Sequence, residues 1–402
     1  MRIDPASRTF TVLLGVLAAL PAFGIDMILP ALPATGASLG VPSSQVGLAM
    51  SVYLLSLGVA PLICGPVSDR YGRRPVVLCG CAVLVAGSVG CATADSLPAL
   101  LAWRVVQGVG AASTAPVMAI IRDLFEGPVA RAKISYVVIA INVVPMIAPT
   151  VGAELLAIGG WRSLYLVLVA GGLVLLAVLS CGFPESAKIE RSRRLTVFSV
   201  ARDYVRVMLH PVCRGYILVN AAATGAVFAY VAGSSLFLIT VKGMRPDQYG
   251  LIFGATAIAV MGGAFLGGRA SARGIPPGYV LTTGLALLSL CSTLLLAMTL
   301  AGWMPIPVVI LLMIGATLSF GLIAPNVTSG AMQPLPQIAG AVGGAAGFAQ
   351  MIAAASSSGL VALLFDGHSA LSMSAMMAVF ACLAMTLYLC LVRPAEHVAL
   401  SV

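Results

Sequence analysis

The feature that constrains this chain most is a succession of apolar runs, each about as long as a helix must be to cross a bilayer. They lie at about 10–32, 45–66, 76–94, 97–121, 134–157, 161–182, 215–240, 249–268, 278–300, 306–327, 338–364 and 370–391. Roughly 20 residues at about 1.5 Å rise span the ~30 Å hydrocarbon core. Lipid offers no water to backbone polar groups, so such runs fold as helices. Composition agrees: 60% of the 402 residues are hydrophobic and 9% are charged, against about a quarter charged in soluble domains. The expected fold is all-α, with twelve transmembrane helices. The longest polar stretch, 183–214, divides them six and six. That gives an N-terminal half (1–182), a cytoplasmic linker (183–214) and a C-terminal half (215–402), the layout of a duplicated transporter with its site between pseudo-symmetric halves.

Lysine and arginine set the expected orientation. With the N-terminus in the cytoplasm, 18 of the 22 lie on that side, Arg162, Lys242 and Arg245 lie on the other, and Arg104 lies within a span. Positive residues accumulate in cytoplasmic loops, so both termini are expected inside, in a multi-pass inner-membrane protein. The net charge of +9 arises from these short loops rather than from one polar face, which argues against nucleic acid as a partner. Arg2 and Arg8 before an apolar run resemble the start of a signal peptide. The run continues to about Leu32, however, so a retained first helix is expected. The nine cysteines form no CxxC pair and read as small buried hydrophobes.

Three strong charges fall within the spans: Asp26, Arg104 and Glu154. Each costs roughly 2.5–3.5 kcal/mol on insertion scales unless it is paired or wet. Asp26 lies about six residues from the outer end of the first helix and Arg104 about seven from that of the fourth, so the two share a depth, by the helical rise. An Asp–Arg pair is physically sensible there. Burial favours a neutral carboxyl and a neighbouring guanidinium favours a charged one, so a conformational change or an arriving substrate can shift the balance. Asp26 is the expected proton carrier, against the alternative of a static pair locking two helices. Arg104 and Gln107 share a helix face, with Arg104 expected to orient Asp26 and to hold Gln107 toward a cavity. Glu154 lies near the outer end of the fifth helix, where snorkelling and proton coupling are equally plausible readings.

Between the second and third helices the chain reads Gly65-Pro-Val-Ser-Asp69-Arg70-Tyr-Gly72-Arg73-Arg74-Pro75. Glycine and proline force a tight turn. Asp69 can sit against a helix N-terminus, whose dipole attracts anions. Arg73 is expected to pair with Asp123 at the inner end of the fourth helix. This loop resembles the G-x-x-x-D-R-x-G-R-R signature of the major facilitator superfamily. Arg104 to Ala112 resembles its R-x-x-Q-G-x-G-A-A motif, and Pro145-Met-Ile-Ala-Pro149-Thr-Val-Gly152-Ala resembles the fifth-helix motif of its antiporter branch. Asp26-Met-Ile-Leu-Pro30-Ala-Leu-Pro33, Gly160-Trp161-Arg162 and Pro325-Asn326 resemble the Bcr/CflA drug-resistance group, which includes bicyclomycin and phenicol exporters. The resemblance spans nearly the whole chain.

It implies the major facilitator fold and a drug/proton antiporter working by alternating access. Asp26 and Arg104 would then be the protonation and coupling residues, and Asp69, Arg70, Arg73, Arg74 and Asp123 the inner gate. Two departures stand out. Ala153-Glu154 replaces small residues of the fifth-helix motif, and the second-half loop Gly267-Gly268-Arg269-Ala-Ser-Ala-Arg273-Gly274 lacks the acid. Asp26, Asn220, Phe228, Tyr230, Phe237 and Asn326 are the candidate substrate contacts. A mostly apolar wall with one acid suits a lipophilic neutral or cationic small molecule.

The chain contains no G-x-x-x-x-G-K-[ST] loop, so ATP drive is not expected. No catalytic or metal constellation stands out, and His210, His368 and His397 lie outside the spans, so an enzyme is not expected. The proton is the one expected coupling ion, with no cofactor, and the chain is expected to work as a monomer in the bilayer. The alternative is a proton-coupled importer or exporter of an endogenous metabolite, of the amino acid or sugar class, on the same fold. A channel would show a pore-loop segment and a sensor a sizeable soluble domain, and neither is seen.

Overall fold

The structure is a computed structural model that describes residues 4–112, 116–186 and 197–395, the side chains of 197–201 excepted. The described residues form helices and the turns between them, with no strand. Among the described residues, eleven helices are long and apolar enough to cross a membrane. One of them, Gly127–Gly182, runs 56 residues and would be about 84 Å long if straight, far beyond the ~30 Å core. It breaks at Gly160, whose φ of 69° and ψ of −177° lie where only glycine sits without strain. The break separates a fifth span (127–159) from a sixth (161–182), which makes twelve spans in all. The others, in order, are Arg8–Leu39, Ser43–Tyr71, Arg73–Ala92, Leu97–Leu124, Pro211–Val241, Pro246–Ala272, Pro277–Leu300, Ile306–Met332, Pro336–Leu363 and Leu371–Ala395.

Large apolar side chains stand exposed along these helices. Ile158, Leu251, Phe265, Leu311 and Leu363 are each more than half exposed. So much uncovered apolar surface is what lipid, rather than water, solvates. Part of the polar linker is an amphipathic helix, Val197–Leu209, which docks on the eleventh span. There a Cβ on Gly344 would come within 2.6 Å of the Tyr204 hydroxyl. Residues 187–196, with Lys188, Arg191, Arg193 and Arg194, lie outside the described residues, as do Arg2 and His397.

Contacts divide the chain into two compact units, residues 1–195 with 245–251, and residues 196–244 with 252–402. In the first unit the fourth span packs on the second and third, and the helix containing the fifth and sixth spans packs on the first and third. Small residues set that closeness. A Cβ on Gly108 would stand 2.8 Å from the Tyr53 carbonyl of the second span, and one on Gly110 2.2 Å from the Leu84 nitrogen of the third. In the second unit the seventh span is the hub, packed on the tenth, eleventh and twelfth, while the ninth packs on the tenth and twelfth.

Candidate functional site

The first span is not continuous. A helix runs from Arg8 to Asp26, a 3-10 turn covers Leu29–Ala31, and helix resumes over Leu32–Leu39. The cause is Pro30. Proline has no N–H to give the carbonyl four residues back, and its ring crowds that carbonyl. The residue four back is Asp26. The carboxylate therefore sits where the helix stops, among backbone groups that lack their usual partners. Asp26 is 6% exposed. The fifth span closes over the break, since a Cβ on Gly152 would lie 2.1 Å from the Met27 carbonyl. Gly152 belongs to the Pro145–Ala153 stretch singled out from the sequence, and its lack of a side chain is what admits that backbone.

Arg104, 1% exposed, answers the break from the fourth span. Its Nη1 donates to the Gly24 carbonyl (3.0 Å) and to Gln107 Oε1 (2.6 Å), and its Nε donates to the Ala49 carbonyl of the second span (3.1 Å). A cation at a helix C-terminus satisfies orphan carbonyls and opposes the negative end of the dipole. The guanidinium lies 4.3 Å from the Tyr53 ring centroid and 6.0 Å from that of Tyr165. Tyr53 in turn donates its hydroxyl to the Pro21 carbonyl at 3.2 Å.

Two expectations change here. Asp26 and Arg104 are both buried in the first unit but form no ion pair. Among the described residues the ion pairs are Arg73–Asp69, Arg73–Asp123, Arg162–Asp95 and Arg245–Asp247. The donors of Arg104 go to carbonyls instead. Gln107, wholly buried, is held between helices: its amide nitrogen donates to Ser88 Oγ of the third span at 2.8 Å. Tyr53, Tyr165 and Ser88 were not singled out from the sequence. The available signal was the presence of hydroxyl-bearing side chains inside apolar spans beside a buried charge.

At the other end of the first unit, Arg73 gathers the loop between the second and third spans. It is ion-paired with Asp69, its Nε donates to Asp123 Oδ2 at 3.1 Å, and its Nη1 donates to Ser68 Oγ at 2.6 Å. Asp69 engages this arginine and not a helix N-terminus. The N-terminus of the third span is taken by Glu185, just past the sixth span. Its carboxylate accepts from the backbone N–H of Arg73 (2.8 Å) and of Arg74 (3.2 Å). Arg74 reaches the same region, donating from Nη2 to the Ser180 carbonyl at 2.9 Å. Arg70 is exposed and lies beside the Tyr71 ring, 5.5 Å from its centroid. The role of Glu185 was not read from the sequence, because its partners lie more than a hundred positions away along the chain.

The second-unit candidates do not share one contact. Tyr230 stacks on Phe253 at 5.9 Å, and its hydroxyl shares a 2.7 Å hydrogen bond with Thr256. Phe237 is buried under the Lys242 ammonium, 5.5 Å away. Phe228 is half-buried. Asn220 is buried with its Oδ1 unpartnered, as is Thr224 Oγ1 one turn on. Asn326 donates to the Leu322 carbonyl and lines a cavity at one end of the unit. Glu154 is exposed and outside the ion pairs named above.

Known proteins bear on this geometry. The chain is 26% identical to a bicyclomycin resistance protein homolog of Haemophilus influenzae, over 85% of either chain. It is 29% identical to multidrug resistance protein D of Escherichia coli, over 88% of either chain. It is 30% identical to a chloramphenicol resistance protein of Pseudomonas aeruginosa, over 70% of this chain and 66% of that one. Among solved structures it resembles an inward-facing, unoccupied bacterial homolog of the human lysosomal transporter Spinster, with a TM-score of 0.78, 16% identity and 99% of each chain covered. It also resembles a D-xylose-proton symporter, with a TM-score of 0.68, 16% identity, and 94% of this chain and 97% of that one covered. The drug-resistance names of the relatives agree with the Bcr/CflA resemblance of Asp26–Pro33 and the later motifs. Residues 14–358 match the Major Facilitator Superfamily, and the chain belongs to that family of membrane transporters.

Proposed function

We propose that the protein exports small, lipophilic, neutral or cationic drug-like compounds in exchange for protons, by alternating access. One observation carries the reading: a carboxylate buried at a break in a membrane helix, with the loose carbonyl end of that helix held by a buried arginine. Asp26 takes up and releases the proton. Arg104 holds the broken helix end and supplies a fixed positive field, and Gln107 anchors Arg104 to the third span. Glu154, exposed, is an auxiliary proton site at most. The drug-resistance relatives support drug-like cargo, and export against a gradient draws about 2.3 kcal/mol per charge from each 100 mV of membrane potential.

The remaining assignments belong to the same reading. Residues 1–182 and 215–402 are the two moving halves, joined by the 183–214 linker. Both termini face the cytoplasm, and the protein acts as a monomer. Asn220, Phe228, Tyr230, Phe237 and Asn326 contact cargo together with Asp26. The Asp69, Arg70, Arg73, Arg74 and Asp123 loop is the inner gate, with Arg73 as its hub. The test is accumulation of chloramphenicol by everted vesicles, whose lumen stands for the cell exterior, under an imposed acid-inside pH gradient. Asp26→Asn should abolish gradient-driven movement while the protein inserts and melts like wild type. Undiminished accumulation by that variant removes Asp26 from the mechanism, and gradient-driven loss from the lumen by wild type replaces export with import.

A further inference from the structure

The two units differ at their corresponding inner loops. The loop Gly65–Pro75 of the first and the loop Gly267–Pro277 of the second align so that Gly72 falls on Gly274. Both glycines have positive φ, 103° and 77°. In this register Ser271 stands where the first unit has Asp69, and Ile275 where it has Arg73. The tenth span carries no carboxylate to match Asp123 of the fourth. The three charges that fill the first unit are thus absent from the second, and a cavity of about 910 Å³ lies in their place.

Its origin is visible in the packing. The eighth and tenth spans cross backbone to backbone, since a Cβ on Gly263 would lie 2.0 Å from the Leu318 carbonyl and one on Gly321 2.1 Å from the Val260 carbonyl. Beyond that crossing, toward the loop, Gly267 and Gly268 put no side chain into the gap, and Gly268 has open space where a Cβ would stand. Among the described residues the lining holds no Asp, Glu, Lys or Arg. Its polar groups are neutral hydroxyls and amides, Tyr216, Ser271, Asn326, Ser329 and Gln333, with His210 at the cap of the seventh span. The volume lies within the roughly 300–1,000 Å³ of small-molecule sites, and an apolar wall with a few convergent polar groups is their usual make-up.

We propose that this cavity is a second ligand site, on the cytoplasmic side of the second unit, that takes an uncharged drug-sized compound. The hydroxyls and amides orient the ligand, and the missing gate charges leave it no counter-ion to prefer. The inference rests on the exporter reading for its choice of cargo and shares Asn326 with it, but assigns a site that does not include Asp26, one that loads cargo without protonation chemistry.

The experiment is equilibrium dialysis of labelled chloramphenicol against the whole protein in lipid nanodiscs. Gly268→Trp fills the open space. Gly262→Trp, which also has nothing within 4 Å of a Cβ and does not line the cavity, is its control. Gly268→Trp should lose one bound equivalent that wild type and Gly262→Trp retain. Ser329→Leu, which swaps a polar contact for an apolar one at an exposed position, should weaken that equivalent about tenfold. Wild-type stoichiometry and affinity in Gly268→Trp, equal loss in Gly262→Trp, or no binding to wild type overturns the site. Binding lost only in Gly268→Trp, with no gradient-driven accumulation by wild-type everted vesicles, overturns the exporter reading and leaves the site standing.

Discussion

Replacing Arg104 by alanine should unfasten three helices at once. The side chain gives three hydrogen bonds, to the carbonyls of Gly24 and Ala49 and to Gln107 Oε1, and so joins the first, second and fourth spans. Hydrogen bonds between membrane helices average about 0.6 kcal/mol and reach about 1.7, so the two to Gly24 and Ala49 come to about 1 kcal/mol at the average and about 3 at the maximum. A desolvated guanidinium 4.3 Å from the Tyr53 ring adds about 2 kcal/mol. Arg104→Ala should therefore destabilise the protein by about 4 kcal/mol. Arg104→Lys keeps the charge but not the planar fork, and should lose about half as much. Equilibrium unfolding in bicelles measures both. Gln107→Leu, made in each background, closes a double-mutant cycle, and residues sharing a network should couple by at least ~0.5 kcal/mol. Wild-type stability in Arg104→Ala, or strict additivity with Gln107→Leu, would refute the view of Arg104 as the clip on a broken helix.

Glu185→Gln keeps the shape but drops the charge facing the start of the third span, and should destabilise the inner loop by about 1 kcal/mol, the scale of a helix N-cap; raised protease sensitivity of the 65–75 loop is the readout, and unchanged cleavage counts against the clamp. Gly152→Ala places a methyl against the Met27 carbonyl, and the forced separation should cost about 1–3 kcal/mol and slow efflux; a wild-type melting temperature is the contrary result. Asp366 accepts from the Ser369 hydroxyl and from the backbone N–H of His368 and Ser369, which holds its carboxyl below the ordinary aspartate range. A depressed value means that the stabilisation is present above the unfolded value of about 4 and is lost as pH falls below it. The protection of the His368 and Ser369 amides, relative to their intrinsic exchange rates, should therefore fall as pH drops below about 4, whereas Asp366→Asn should show no such acid-dependent change.

The apolar runs were legible because each reports a local quantity, length against bilayer thickness. The join between residues 157 and 161 was legible too: the hydropathy runs end and begin there, and the backbone angle of Gly160 divides 56 helical residues into the two expected spans. At the candidate site, the depth of Asp26 and Arg104 followed from counting helical rise, but their partners did not. The break at Pro30 was not anticipated, and which donor reaches the freed carbonyls depends on how the first, second and fourth spans pack. Lys133 makes the same point. Read as a positive-inside residue, it is buried, with its ammonium donating to Thr11 Oγ1 at 2.7 Å and to the Pro5 carbonyl, beside the Phe125 ring. Glu185 carried no sequence signal, because a carboxylate that binds backbone amides leaves no paired side chain to find.

That carboxylate has a practical consequence for dissecting the polypeptide. Cutting after residue 182, where the hydropathy profile invites a split-gene design, would strip the N-terminal fragment of the group that moors the beginning of its own third span. Cutting after Ser186 would leave the mooring in place. Two halves expressed from separate genes should therefore reassemble or fail according to a difference of four amino acids in where the message is divided.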